Sequence, residues 1–116
     1  MGILSLLFGK DYKDITSEEL KIMMKEKYKY QFLDVRTKQE YKSGHAFGFD
    51  KNIDYYKFSR NHSMLERIDL NKPIVVMCQT GSRSNGACRI LSKMGHKEVY
   101  NFKRGIRNYQ GTITKK

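Results

Sequence analysis

Pro73-Ile74-Val75-Val76-Met77-Cys78-Gln79-Thr80-Gly81-Ser82-Arg83-Ser84 is the stretch on which the rest of the chain is organised. Its first half is a short apolar run rich in β-branched residues, the pattern of a strand buried on both faces of a parallel sheet. Its second half is small and polar and runs into Asn85-Gly86-Ala87-Cys88-Arg89-Ile90-Leu91-Ser92-Lys93-Met94. There Ala87, Ile90, Leu91 and Met94 recur at the spacing of one helix face. The pattern predicts a strand over 73–78, a tight loop, and a helix over 82–94 stopped by Gly95. Cys78 falls where that strand ends.

This placement has chemical consequences. The first backbone N–H groups of a helix have no partner inside it and, with the helix dipole, favour an anion in front of them. Thiols facing such a cradle ionise more readily than free ones, and the thiolate is the nucleophile. Gly81 lets the loop turn its amides inward without a steric penalty. Arg83 adds a permanent positive charge.

The pattern Cys-x-x-Gly-x-Arg-Ser at Cys78, Gly81, Arg83 and Ser84 resembles the active-site loop of the rhodanese (sulfurtransferase) family. Leu33-Asp34-Val35-Arg36, Glu40-Tyr41 and Gly44-His45 resemble its upstream signature, and Gly95-His96, Val99-Tyr100, Gly105-Ile106 and Tyr109 its ending. The resemblance covers about residues 14–111, nearly the whole chain. It implies an α/β rhodanese-like three-layer sandwich, with a central, mostly parallel five-stranded sheet and helices on both faces. It also implies a sulfurtransferase of the thiosulfate:cyanide kind. In that chemistry Cys78 takes a sulfane sulfur from thiosulfate or a persulfide donor and passes it to a thiol or cyanide, with no cofactor.

Working outward, Tyr12 to Ile15 is a candidate strand, and Thr16-Ser17-Glu18-Glu19 is a capping box opening a helix to about Lys27. Leu20 and Met23 or Met24 are its inward residues. Tyr30 to Val35 is the next strand, and Thr37 to Glu40 a second capping box whose short helix ends near Gly44. Asn52-Ile53 is a brief strand, followed by one or two helical turns up to Ile68. Lys97 to Asn101 is the last strand, and Gly105 to Gln110 a terminal helix. Strands alternating with helices imply parallel pairing with helices on both faces. Ligands in such sheets sit beyond the C-terminal strand ends, where Cys78 falls. The expected organisation is a short apolar segment over 1–10, a rhodanese-like domain over 11–111 and a polar tail over 112–116.

Cys78 is the expected nucleophile, and Gln79, Thr80, Gly81, Ser82, Arg83 and Ser84 form the loop that binds substrate and persulfide. Arg83 has two readings, orienting an anionic donor or steadying the loop. Ser84 either bonds the persulfide through its hydroxyl or caps the helix. Arg36 and Glu40, four apart at a helix start, suggest an ion pair bracing the floor of the site. His45 is expected to be a structural histidine bonding the backbone near Gly44. Cys88 has two readings, a buried inert side chain or a resolving thiol. The chain departs from the family pattern at Phe47, Asp54, Arg104 and Tyr109, and is one residue longer between Gly48 and Asn52. None of these departures touches the loop; they bear on the shape of the pocket rim, where donor choice is decided.

With 116 residues the chain is one domain with a single core. Two cysteines cannot form a disulfide framework, so a reducing cytoplasm is the expected setting. Two cysteines ten apart and three scattered histidines match no metal-ligand spacing, so no metal is expected. The net charge of +11 is a lysine-rich surface whose field favours anions, small sulfur-containing donors or an acidic sulfur-carrier protein among them. No compact basic run with interleaved aromatics is present, and no nucleic-acid partner is expected. Residues 1–8 are too short to span a membrane and lack the basic start of a secretory signal. A short helix packing on the domain is the plainer expectation for them, and a membrane-surface or partner contact the other. A cysteine phosphatase, which needs five residues between Cys and Arg where this chain has four, and a non-catalytic binding module are the rival functions.

Overall fold

The computed structural model describes residues 12–60 and 62–116. The expectations for residues 1–8 and the 1–10 segment lie outside the described residues. Five strands form one parallel sheet in the order β1-β6-β5-β2-β4. They are β1 (Lys13–Ile15), β2 (Gln31–Asp34), β4 (Lys51–Asn52), β5 (Ile74–Met77) and β6 (Val99–Phe102). The helices are α1 (Ser17–Met24), α2 (Lys38–Ser43), α3 (Tyr55–Phe58) and α4 (Ser82–Lys93). Turns of 3-10 helix cover Lys27–Lys29, His62–Arg67 and Ile106–Asn108.

The central strand shows why the sheet is covered twice. Along β5, successive side chains point to opposite faces. Ile74, Val76 and Cys78 pack with Ala87, Cys88 and Leu91 of α4 and with Ile53, Phe58 and Ile68. Val75 and Met77 pack on the other side with Leu20 of α1, Phe32, Phe49 and Phe102. All four residues of β5 are fully buried, so the run could not alternate apolar with polar as a half-exposed strand does. This is the expected three-layer arrangement, a five-stranded parallel sheet covered on both faces.

Both capping boxes form. Thr16 accepts from the Glu19 amide while Glu19 accepts from that of Thr16, and Thr37 and Glu40 do the same. Gly44 ends α2 and Gly95 follows α4 at φ +98.

Two expectations are corrected. The terminal helix over 105–110 is only the 3-10 turn Ile106–Asn108, because its first donors point elsewhere. Ile106 N–H donates to the Cys78 carbonyl (2.8 Å) and Arg107 N–H to that of Gln79 (3.1 Å). The stretch expected to be a polar tail contains β7 (Ile113–Thr114), paired antiparallel with β3 (His45–Ala46). Phe47 N–H extends that pairing by donating to the Thr112 carbonyl at 2.9 Å.

Candidate active site

Cys78 follows β5 directly and is 1% exposed. Gly81 takes φ +105 in the left-handed region, which returns the chain toward the sulfur and starts α4 at Ser82. Its N–H donates to Cys78 Sγ at 3.0 Å. The Cys78 thiol donates to Ser84 Oγ at 3.5 Å, and that hydroxyl donates to the Gly81 carbonyl at 3.1 Å. Ser84 is fully buried, and the residue at the helix N-cap is Gly81, without a side-chain cap. Ser84 is therefore not the helix cap, and its hydroxyl oxygen lies beside the sulfur.

The first backbone bond into α4 from its start is Asn85 N–H to the Gly81 carbonyl, at 3.1 Å. The amides of Ser82, Arg83 and Ser84 precede it and have no acceptor within the helix. Of the loop amides expected around the sulfur, Gly81's is the one within hydrogen-bond distance of Sγ. Thr80 and Ser82 are exposed, and Gln79 and Arg83 half-buried.

The ion pairs around the loop are not the expected ones. Arg36 does not hold the Glu40 carboxylate. Its Nε and Nη2 grip Asp34 at 2.8–3.0 Å, Nη2 also donates to the Gly44 carbonyl, and only the Glu40 main-chain oxygen is reached, at 3.4 Å. Asp34 and Arg36 are both buried, so this pair is a closed structural brace. Glu40 instead grips Arg83 from both oxygens, at 2.6 and 2.9 Å. The parallel fork is the strong geometry for guanidinium on carboxylate. The Arg83 guanidinium also lies 5.9 Å from the ring centroid of Tyr56. Of its two readings, Arg83 is in the loop-steadying position, with its charge already compensated. Sequence reasoning missed this clamp, since the partners lie 43 residues apart.

Arg83 holds the Glu40 carboxyl down to about 2 from an ordinary 4.5, with the Thr37 amide helping and burial opposing. A carboxyl depressed on folding stabilises fully above its unfolded value and loses that contribution as pH falls through the folded one. The stability gap between wild type and Glu40→Gln is thus expected to be constant above pH 4.5 and to close between 4.5 and about 2. Urea titrations at several pH values measure it. A gap unchanged at pH 2.5 contradicts the clamp.

A second loop supports the first. Gly105 (φ +73) lies against the Gln79 carbonyl, and Gly81 against that of Lys103, so that a Cβ at either would clash. With the bonds from Ile106 and Arg107, residues 103–107 form a strap under the cysteine loop. His45 is 3% exposed, with Nδ1 3.0 Å from the Tyr41 carbonyl and its ring stacked on Tyr41, the backbone-bonding role expected of it. Cys88 is fully buried in the core beneath α4. Among the described residues, no three His, Cys, Asp or Glu side chains cluster as a metal site would require.

A cysteine sulfur on a Gly81 amide ahead of a helix, in a five-stranded parallel sheet, coincides with a family match. The model of the rhodanese-like domain matches residues 16–112. The chain belongs to the rhodanese-like domain family. It is 33% identical over 104 residues to the uncharacterized protein YqhL of Bacillus subtilis (strain 168), covering 90% of this chain and 77% of that one. It is 29% identical over 81 residues to the thiosulfate sulfurtransferase GlpE of Ectopseudomonas mendocina (strain ymp), covering 70% of this chain and 71% of the relative. A rhodanese-related protein from Thermoplasma volcanium superposes with a TM-score of 0.74 at 24% identity, over 90% of this chain and 100% of the other, which bears on the fold alone.

Proposed function

We propose that this protein is a sulfurtransferase that carries a sulfane sulfur on Cys78. The observation that carries the reading is the Gly81 N–H on Cys78 Sγ at 3.0 Å, at the start of α4. The Cys78 thiolate attacks the outer sulfur of thiosulfate; the S–S bond breaks and sulfite leaves with its electron pair. A persulfide anion, Cys78–S–S⁻, remains. An acceptor thiolate or cyanide then attacks the outer sulfur, and the Cys78 thiolate leaves, restored. This is covalent catalysis in two half-reactions.

The loop suits both states. Gly81 holds the inner sulfur, while the orphan amides of Ser82, Arg83 and Ser84 stand ready for the charge on the outer one. The Ser84 hydroxyl turns from the Gly81 carbonyl to donate to whichever sulfur is anionic. Gln79, Thr80 and Ser82 shape the entrance, and Arg83, held by Glu40, fixes the loop's path. The 1% exposure of Cys78 favours a single terminal sulfur over a tetrahedral phosphoryl group. The likeness to a thiosulfate sulfurtransferase supports the same chemistry. The donor is a small sulfur-containing anion, the acceptor a thiol or cyanide, and the compartment the cytoplasm. Among the described residues, no helix is long and apolar enough to cross a membrane.

Intact-mass spectrometry after incubation with thiosulfate tests this. The protein is expected to gain the mass of one sulfur atom, localised to Cys78 and discharged by cyanide. No gain with thiosulfate, polysulfide or thiol persulfides overturns the assignment, as does turnover of p-nitrophenyl phosphate that depends on Cys78.

A further inference from the structure

A cleft of about 680 Å³ opens beside α2, and no residue of the 78–84 loop lines it. Its walls carry Lys38 and Lys42 from α2, Lys57 from α3, Arg67 from the 3-10 turn, and Lys115 and Lys116 beyond β7. Six cations thus converge from four parts of the chain. Two carboxylates stand against them, Asp50 and Asp54, and Asp54 already accepts from the Tyr56 amide at the start of α3. Among the described residues, none of the six cations is in an ion pair. Like charges gathered in one concavity repel each other, a cost that an anionic ligand would relieve.

The lining points inward as well as outward. His45 lines the cleft and is 3% exposed, so its ring is a buried polar group set into the wall. Nδ1 is committed to the Tyr41 carbonyl, whereas Nε2 has no hydrogen-bond partner and is not sealed from solvent. The Tyr41 ring, stacked on His45 at 3.7 Å between centroids, fixes its direction.

We infer that this cleft is a binding site for a small polyphosphate, free or as the phosphate chain of a nucleotide. The size is that of small-molecule pockets. Lysine ammonium groups bind phosphate as point charges, and Arg67 adds a bidentate fork. A compact chain of phosphates places several charges within reach of all the walls at once, which an extended acidic peptide in a concavity this short does not. β7 makes the site possible: its pairing with β3 brings Lys115 and Lys116 to the wall beside His45. The inference stands apart from the sulfur chemistry, because none of these residues belongs to the Cys78 loop.

Calorimetric titration of the full chain with inorganic tripolyphosphate, and separately with adenosine triphosphate, tests it at about 0.15 M salt, where distant surface charges are screened. One saturable site is expected, with the His45 ring resonances shifting as it fills. The exposed pair Lys57→Gln/Arg67→Gln is expected to weaken binding by about tenfold or more, the scale of losing two charge-assisted contacts. Lys21→Gln/Lys25→Gln, removing the same charge from α1 and its C-terminal cap, changes it less than about twofold. The affinity is expected to be the same in Cys78→Ser. Equal loss in both double variants, or no saturation, overturns the site, as non-specific attraction then accounts for the binding. Competition by thiosulfate moves the ligand to the cysteine loop and overturns it too. Tighter binding of hexaglutamate or an RNA oligonucleotide, with the same dependence on Lys57 and Arg67, overturns the choice of ligand.

Discussion

Cys78→Ser is expected to lose sulfur transfer by roughly 10⁴-fold or more, the scale at which loss of a covalent nucleophile leaves only background chemistry. The substitution replaces one atom. A serine hydroxyl at this position can still accept from the Gly81 amide and meet Ser84, so the loop keeps its path. What it cannot do is form a persulfide. The variant is therefore expected to unfold within a few degrees of wild type while gaining no sulfur from thiosulfate. Thermal unfolding and intact mass measure the two halves. Cys88→Ala serves as the contrast. That side chain is buried under α4, and its removal is expected to leave transfer intact apart from a modest stability loss. If instead Cys78→Ser transfers at the wild-type rate, the sulfur is carried elsewhere and the proposed mechanism fails.

Gly81→Ala is expected to damage both stability and transfer. The glycine holds φ +105, a conformation costly to any residue with a Cβ, and the added carbon would run into the Lys103 carbonyl. Backbone, unlike a flexible side chain, has little room to yield. Strain and overpacking together suggest a loss of about 3 kcal/mol. Relief would come from pushing the loop off the 103–107 strap, which carries the Gly81 amide away from the sulfur. Transfer is then expected to fall by about 10²-fold, the size associated with losing one preorganised donor to a developing anion. The informative comparison is with Gly95→Ala. Gly95 also has positive φ, but nothing lies within 4 Å of its added Cβ and it is remote from the loop. That variant should lose stability and keep the transfer rate of its folded fraction. Equal transfer in the two variants would separate the Gly81 amide from the chemistry.

The strap and the clamp make the loop rigid from two sides. Ile106 and Arg107 hold the carbonyls of Cys78 and Gln79 from β6's end of the sheet, and Glu40 holds Arg83 from β2's end. β5 lies between these two strands, so the loop after it is reached from both. In the proposed reaction, a loop fixed in this way would present its amides to sulfur with little rearrangement, the condition under which electrostatic stabilisation is most effective.

The features legible in the amino-acid order alone are those decided within a few residues. The β-branched run at 74–77, the glycine at the turn and the apolar face of α4 specify strand, loop and helix through near-neighbour sterics and periodicity. The capping boxes at Thr16 and Thr37 close over three residues and form as expected. Side-chain pairing was a different matter. The four-residue spacing of Arg36 and Glu40 suggests a local ion pair, but Asp34 lies nearer to Arg36, and α2 delivers Glu40 to Arg83 instead. That exchange follows from β2 and β5 being parallel neighbours in the sheet, which brings the segments after both strands to the same end of it. The same holds for residues 113–114, whose pairing with β3 no local pattern announces. Contacts between distant segments depend on which strand edges end up adjacent, and burial of the whole core decides that order.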